Sequence, residues 1–297
     1  MVIVPRQFGQ VLNDALYGLA RVWRTLVVPA LAVSIPVSIG TVAVFGVTGG
    51  ADFIDLVLNS PERLQTLPEE VFWELSRPFY VALAVATLLQ LVGGVFLALT
   101  SHRVVAAQLA GRPLTARAAA RHALRRYLTG FGATFLILVV VGVLAGLGVV
   151  IWMVPALAVG TPNPPSVLVA LVLLVVLLGP GVWAGVAVSM TTSTVAIEDH
   201  GLFGSIRRSM QLVRGRWWPT FGFLLLVGLL GGIAIQLIQL IALPLAAVGG
   251  GGPALSIASL LGVLAQGLLV AAIAAMYTHW YVDLRARRET LSTESLG

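Results

Sequence analysis

Two acidic residues lie beside clusters of arginine, and they are the clearest candidates in the sequence for charge-dependent chemistry. Glu198 and Asp283 each follow a long apolar segment. The arginines within reach of these two carboxylates are Arg207, Arg208, Arg285 and Arg287. A carboxylate in such a place either gates or relays protons, or forms salt bridges that tie helix ends together. We predict inter-helix ion pairs at both positions.

Catalytic and metal-binding motifs are missing from the sequence. The histidines lack the paired H-E-x-x-H spacing of a zinc site, and no cysteine can supply a thiolate ligand. The run Gly249–Gly252 lacks the Gly-Lys-Ser/Thr ending of a phosphate-binding loop. We therefore predict no catalytic residue, no bound metal and no cofactor. The histidines, which we interpret as interfacial polar residues, are His102, His122, His200 and His279.

Polar residues are rare inside the apolar segments, where four glutamines are the main exception: Gln90, Gln236, Gln239 and Gln266. An amide in hydrocarbon needs a partner within the helix bundle. We predict hydrogen bonds between helices there, with the lining of a substrate cavity as the alternative. Glycines four residues apart predict close packing of helices, with dimerisation as the alternative. These pairs are Gly142/Gly146, Gly181/Gly185 and Gly228/Gly232.

The composition indicates elements that cross a membrane. Hydrophobic residues make up 58% of the 297 residues and charged residues only 10%, against about 25% charged in soluble domains. A bilayer core needs roughly 20 apolar residues per helix. Six segments qualify, at about 26–48, 79–101, 131–159, 165–191, 219–248 and 253–282. We predict an all-α integral membrane protein with one domain over 1–289 and a disordered cytoplasmic tail over 290–297.

The arginines are distributed unequally between the two sides of the predicted membrane. Of 18 basic residues, all arginine, 16 fall in the N-terminal segment, the second and fourth connections, and the C-terminal tail. The opposite side holds only Arg63 and Arg77. By the positive-inside rule, this asymmetry predicts a multi-pass cell-membrane protein with both termini in the cytoplasm. Arginines beside spans also meet anionic lipid head groups, so we predict lipid rather than nucleic acid as the partner.

Three amphipathic segments precede the first, third and fifth spans and resemble one another. Each carries arginines and ends near an aromatic residue, which is typical of a helix lying at the membrane interface. We interpret the chain as three parallel units, each an interfacial helix followed by a two-span hairpin. The residues predicted to face lipid or a partner are Arg21, Trp23, Arg24, Arg117, Arg121, Arg125, Arg207, Arg208, Arg214, Arg216, Trp217 and Trp218.

Three parts of the sequence resemble the membrane domain of bacterial glycerophosphoryl diester phosphodiesterases. They are Phe8-Gly9 with Arg21–Arg24, then Val195–Glu198 with Ser205–Trp218, and finally Tyr281–Glu289. The resemblance covers nearly the whole chain and implies a stand-alone membrane domain. The activity of such proteins belongs to a separate soluble barrel, for which the short tail leaves no room, so the resemblance does not imply phosphodiesterase activity.

Three functions remain as hypotheses. The first is a non-enzymatic scaffold or accessory subunit that contacts anionic lipid and a protein partner or a second copy of the chain. The second is a transporter or lipid-translocating protein with a cavity between the repeats. The third is an intramembrane enzyme acting on lipids, for which the sequence offers no nucleophile, base or metal set. We predict the first, with the second as its alternative.

Overall fold

The computed structural model describes residues 5–159, 172, 179–198, 200–248 and 252–291, and within them every regular element is a helix. The first five helices are α1 (Phe8–Thr48), α2 (Gly50–Asn59), α3 (Pro61–Thr66), α4 (Glu69–Leu109) and α5 (Ala116–Val159). The others are α6 (179–188), α7 (Thr191–Ile197), α8 (Leu202–Val213), α9 (Trp217–Val248) and α10 (Gly252–Ala286).

Six helical stretches are long and apolar enough to cross a membrane, which confirms the predicted number of spans. They are Phe8–Thr48, Glu69–Leu109, Ala116–Val143, Gly179–Ile197, Trp217–Ile238 and Leu260–Ala286. The fourth is described only from residue 179 onward, apart from residue 172. The first part of the span predicted at 165–191, most of the run Gly249–Gly252 and the tail after residue 291 lie outside the described residues.

The amphipathic segments differ from the expected pattern of separate interfacial helices. The first and second are the opening turns of α1 and α5, which run without interruption into their spans. Only the third is a separate helix, α8. Gly215 explains this, because its φ of +80° is a left-handed conformation that ends α8 and turns the chain into α9. No comparable residue interrupts α1 or α5.

Helix α1 packs against both α4 and α10, which also pack against each other. Glycine allows the close approach on each side. A Cβ at Gly93 of α4 would lie 2.8 Å from Val37, and a Cβ at Gly267 of α10 would lie 1.8 Å from the Ser34 hydroxyl. These glycines, and not the predicted pairs, bring helices together. At five of the six glycines of those pairs, an added Cβ would have no neighbouring atom within 4 Å: Gly142, Gly146, Gly185, Gly228 and Gly232.

At one end of the bundle, aromatic rings join α1, α2 and α4. The Phe53 ring lies 5.3 Å from Phe79 and 5.9 Å from Phe72, and Phe45 lies 6.0 Å from Phe79. The structure has two short helices, α2 and α3, and the residues from Glu69 onward already belong to α4.

Candidate functional site: the arginine-rich end

The other end of the bundle collects most of the arginines, and we call it the arginine-rich end. Three long-range contacts bring its parts together. The Arg6 backbone N–H donates to Asp283 Oδ1 over 2.7 Å, which joins the start of the described chain to α10. His102 Nδ1 and Thr278 Oγ1 lie 2.8 Å apart and join α4 to α10. His122 Nε2 donates to the carbonyl of Ala196 over 3.1 Å and joins α5 to α7.

The most charged group of contacts surrounds Glu198, just after α7. Arg208 Nε lies 2.9 Å from Glu198 Oε2, and Arg285 Nε lies 3.6 Å from Glu198 Oε1. His200 Nε2 lies 2.9 Å from the same carboxylate, and the hydroxyl of Tyr281 donates to it. The Glu198 side chain is 9% exposed. The carboxylate therefore ties α7, α8 and α10 together inside a mostly dry site.

Glu289, beyond α10, also belongs to this group of contacts. We call the group the Glu198 cluster: Glu198, His200, Arg208, Tyr281, Arg285 and Glu289. Arg285 Nε lies 3.1 Å from Glu289 Oε2, and Arg208 also pairs with Glu289. Burial alone would raise the pKa of Glu289, but the Arg208 and Arg285 guanidinium groups outweigh it and hold the pKa below its usual range. Burial would likewise lower the pKa of Arg208, but Glu289 and Glu198 hold it above its usual value. Glu289 and Arg208 thus both stay charged at neutral pH.

The second acidic residue, Asp283, binds the N-terminal segment. Its Oδ2 lies 2.7 Å from Arg287 Nε, one helical turn further along the chain. Its Oδ1 accepts the Arg6 N–H, and Arg287 also donates to the Arg6 carbonyl. Asp283 is 5% exposed. Its carboxylate therefore anchors residue 6, whereas the salt bridge itself stays within the C-terminal segment.

Helix α8 docks on the protein through two serines as well as through Leu212 and Val213 at its end. Ser205 and Ser209 are fully buried, whereas Phe203 is 77% and Met210 42% exposed. Between α6 and α7 the helix is broken, which leaves backbone groups without helical partners. Ser209 Oγ donates to the Ala187 carbonyl over 2.9 Å and accepts the Met190 N–H over 3.1 Å. One side chain of α8 thus bridges the break.

We expect a Ser209→Ala variant to be less stable by about 1–3 kcal/mol, because two buried backbone groups lose their partner. For a chain of this size, the melting temperature should fall by roughly 5 °C. The measurement is thermal unfolding of the purified protein in detergent. Gln211→Ala, on the exposed side of α8, is the matched control and should leave the melting temperature unchanged. Equal melting of the two variants would show that the serine bridge does not stabilise the helix break.

The arginines predicted to face lipid or a partner are exposed, except Arg208, which lies in the Glu198 cluster. The exposed ones are Arg21, Arg24, Arg117, Arg121, Arg125, Arg207, Arg214 and Arg216. Two of the three predicted tryptophans are also exposed, Trp218 by 73% and Trp23 by 51%. Arg24 lies over the Trp23 ring at 5.6 Å. Trp217 instead packs on Phe221, with parallel rings 5.2 Å apart.

The histidines and glutamines take places that the sequence did not indicate. His102 is 3% exposed, with its Nδ1 3.4 Å from the Ser193 hydroxyl as well as near Thr278, so it is a buried residue and not an interfacial one.

Gln90 and Gln266 line a cavity of about 40 Å³ between α1, α4 and α10. Gln236 lies instead in an apolar surface groove on α9, and the Gln239 side chain is outside the described residues. The described residues include no group of three His, Cys, Asp or Glu suited to a metal.

Comparison with known proteins gives one match. Residues 71–284 match a family described as "Domain of unknown function (DUF7847)". No curated protein matches the chain, and no solved structure does. The matched segment begins in α4 and ends in α10, so it contains five of the six candidate spans and most of the Glu198 cluster. The resemblance to phosphodiesterase membrane domains stays a prediction.

Proposed function

Since the chain belongs to the DUF7847 family, whose function is unknown, we propose its role from the geometry of the arginine-rich end. We propose a non-enzymatic multi-pass protein of the cell membrane that acts as a scaffold or accessory subunit. Its arginine-rich end faces the cytoplasm and contacts anionic lipid head groups and a protein partner. The three amphipathic segments, each leading into a pair of spans, make three parallel units in this proposal.

The observation that carries the proposal is the contrast between paired and exposed charge at one end. The buried Glu198 carboxylate pairs with both Arg208 and Arg285, and these contacts hold α7, α8 and α10 together. Around this cluster the remaining predicted arginines point outward, next to exposed indole rings. Guanidinium groups bind phosphate bidentately, and tryptophan prefers the membrane interface. Such an end is suited to holding lipid head groups on a rigid support.

The size of the inner cavity favours a scaffold over a carrier. The cavity that holds Gln90 and Gln266 has about 40 Å³, enough for a water molecule or two. Small-molecule sites usually have about 300–1,000 Å³. Gln236 lies on α9, away from this cavity. A transport path lined by all three glutamines would need Gln236 beside Gln90 and Gln266. A carrier would therefore have to open the contact between α1, α4 and α10 widely.

The proposal predicts that a triple variant, Arg207→Gln, Arg214→Gln and Arg216→Gln, binds anionic lipid more weakly. Each arginine near an anionic surface contributes about 1 kcal/mol, so affinity should fall roughly a hundredfold. The measurement is the amount of anionic phospholipid retained by the detergent-purified protein in native mass spectrometry. A protein partner that purifies with the wild type should be lost from the same variant.

The matched control changes the two exposed arginines of the other end, Arg63→Gln and Arg77→Gln. It should keep the wild-type amounts of lipid and partner. If the triple variant and this control retain lipid equally, the arginine-rich end is not the lipid-contacting face. Flux of lipid or solute through liposomes that contain the wild-type protein would instead support the carrier alternative.

A further inference from the structure

A cleft of about 420 Å³ opens at the arginine-rich end between α1, α4 and α10. Its polar lining comes from Arg6, Asp14, Tyr17, Arg21, Gln108 and His279. We infer that this cleft is a binding site for one phosphate group, of the kind carried by a phospholipid head group. The inference rests on the membrane placement proposed above, but not on the arginines of α8 and α9.

The charges of the cleft leave one arginine available for an anion. Arg6 Nη1 lies 2.6 Å from Asp14 Oδ2, so these two charges balance each other. Arg21 also lines the cleft, is exposed, and forms no salt bridge within the described part of the chain. Its guanidinium can give two parallel hydrogen bonds to a phosphate, which a point charge cannot. Gln108 and Tyr17 add neutral donors beside it.

The back of the cleft holds a buried histidine that has no hydrogen-bond partner among the described residues. His279 is 6% exposed and lines the cleft, yet its ring makes no hydrogen bond to any described residue. The ring lies against Gly18 of α1, where a Cβ would come within 2.6 Å of Nε2. A polar ring at the back of a cleft gains from a hydrogen-bonding partner there. A phosphate oxygen in the cleft would supply such a partner, while Gly18 leaves the space that the His279 ring itself occupies against α1.

The mouth of the cleft has the character of a membrane interface. Tyr17, Arg21 and Arg24 lie on one face of α1, at spacings of four and three residues. Tyr17 is 65% exposed, and Trp23 on the neighbouring face is 51% exposed. Aromatic rings beside arginines mark the level of the lipid head groups. A phospholipid could therefore place its phosphate in the cleft while its chains remain in the bilayer, whereas a free phosphate would use the same donors from solution.

The test uses the full chain in neutral detergent and the water-soluble lipid dioctanoyl phosphatidylglycerol. We expect saturable binding with one site per chain in a titration calorimeter. Arg21→Gln should weaken this binding by at least about tenfold, since a charge-assisted pair of hydrogen bonds is lost. Arg77→Gln, which removes an exposed arginine of α4 at the opposite end of the bundle, is the matched control. Gln108→Leu is a second cleft variant, for use if Arg21→Gln does not fold.

Competition by inorganic phosphate identifies the source of the ligand. If phosphate does not displace the lipid, the site takes a phospholipid; if it does, the site takes phosphate groups from solution as well, and either result supports the inference. Equal loss in the cleft variants and in Arg77→Gln, or binding without saturation, would overturn it. The Arg207, Arg214 and Arg216 triple variant keeps the cleft intact, so it should retain this single site even if the proposed scaffold role fails.

Discussion

A Gly267→Val variant is expected to lose much of the stability of the bundle. The Cβ of any larger residue at this position would come within 1.8 Å of the Ser34 hydroxyl and 3.0 Å of the Ser34 Cβ. Ser34 is itself buried on α1, so α1 and α10 would have to move apart. Overpacking a close contact costs about 1–3 kcal/mol, and we expect the upper end here because two central helices are involved. The melting temperature in detergent should fall by roughly 10 °C.

Gly262 provides the control for this prediction. It lies in the same helix, five residues earlier, and a Cβ there would meet nothing within 4 Å. Gly262→Val should therefore melt like the wild-type protein. A Gly267→Val variant that melts at the same temperature as Gly262→Val would show that α1 and α10 are not in close contact. The neighbouring glycines Gly93 and Gly94 offer a second pair, since only Gly93 faces the valines of α1.

A Glu198→Gln variant is expected to be less stable by about 2–3 kcal/mol. The change removes one of the two carboxylates that contact both Arg208 and Arg285, and it is the more buried of the two, since Glu198 is 9% and Glu289 36% exposed. These two arginines are only 18% and 13% exposed, so water cannot fully replace the carboxylate. Breaking a buried ion pair at one partner costs about 3–5 kcal/mol, and the partial exposure of the arginines lowers that figure. Thermal or denaturant unfolding in detergent measures the loss.

A double-mutant cycle separates the ion pair from other effects of the glutamine. The variant Glu198→Gln with Arg208→Gln should recover part of the lost stability, because the Arg208 guanidinium is then no longer left beside a neutral amide. Glu70→Gln, at an exposed site on the opposite end, should change stability by less than about 0.5 kcal/mol. If Glu198→Gln unfolds no more easily than Glu70→Gln, the Glu198 cluster does not hold α7, α8 and α10 together.

The features that follow from local composition could be predicted from the sequence. Six apolar segments of sufficient length predict six spanning helices, since hydropathy depends only on neighbouring residues. The position of Glu198 next to an arginine-rich segment also predicted an ion pair there. Which arginine it meets depends on the packing of α8 and α10, and sequence spacing alone does not decide between Arg207, Arg208 and Arg285.

The features that depend on which helix faces meet could not be predicted. Glycines at i and i+4 mark a surface with small side chains, but they do not show whether another helix covers it. At Gly228 and Gly232, no described atom lies within 4 Å of an added Cβ. For α8, the amphipathic pattern predicted a helix lying at the membrane interface, but it did not show which residues pack on the protein. The sequence feature that could have indicated the buried face was the pair Ser205 and Ser209, which are four residues apart. Small hydroxyl side chains allow helices to approach closely and can hydrogen-bond to backbone groups that a helix break leaves unpaired.

We propose that the spans place the arginine-rich end in the cytoplasm and the α2–α4 end outside. The chain has no cysteine, so single cysteines at exposed positions report each side without background. With a membrane-impermeant maleimide, Glu70→Cys should react in intact cells, whereas Ala118→Cys and Gln211→Cys should react only after the cells are opened. Reaction of Ala118→Cys and Gln211→Cys from opposite sides, or of all three in intact cells, would contradict the account.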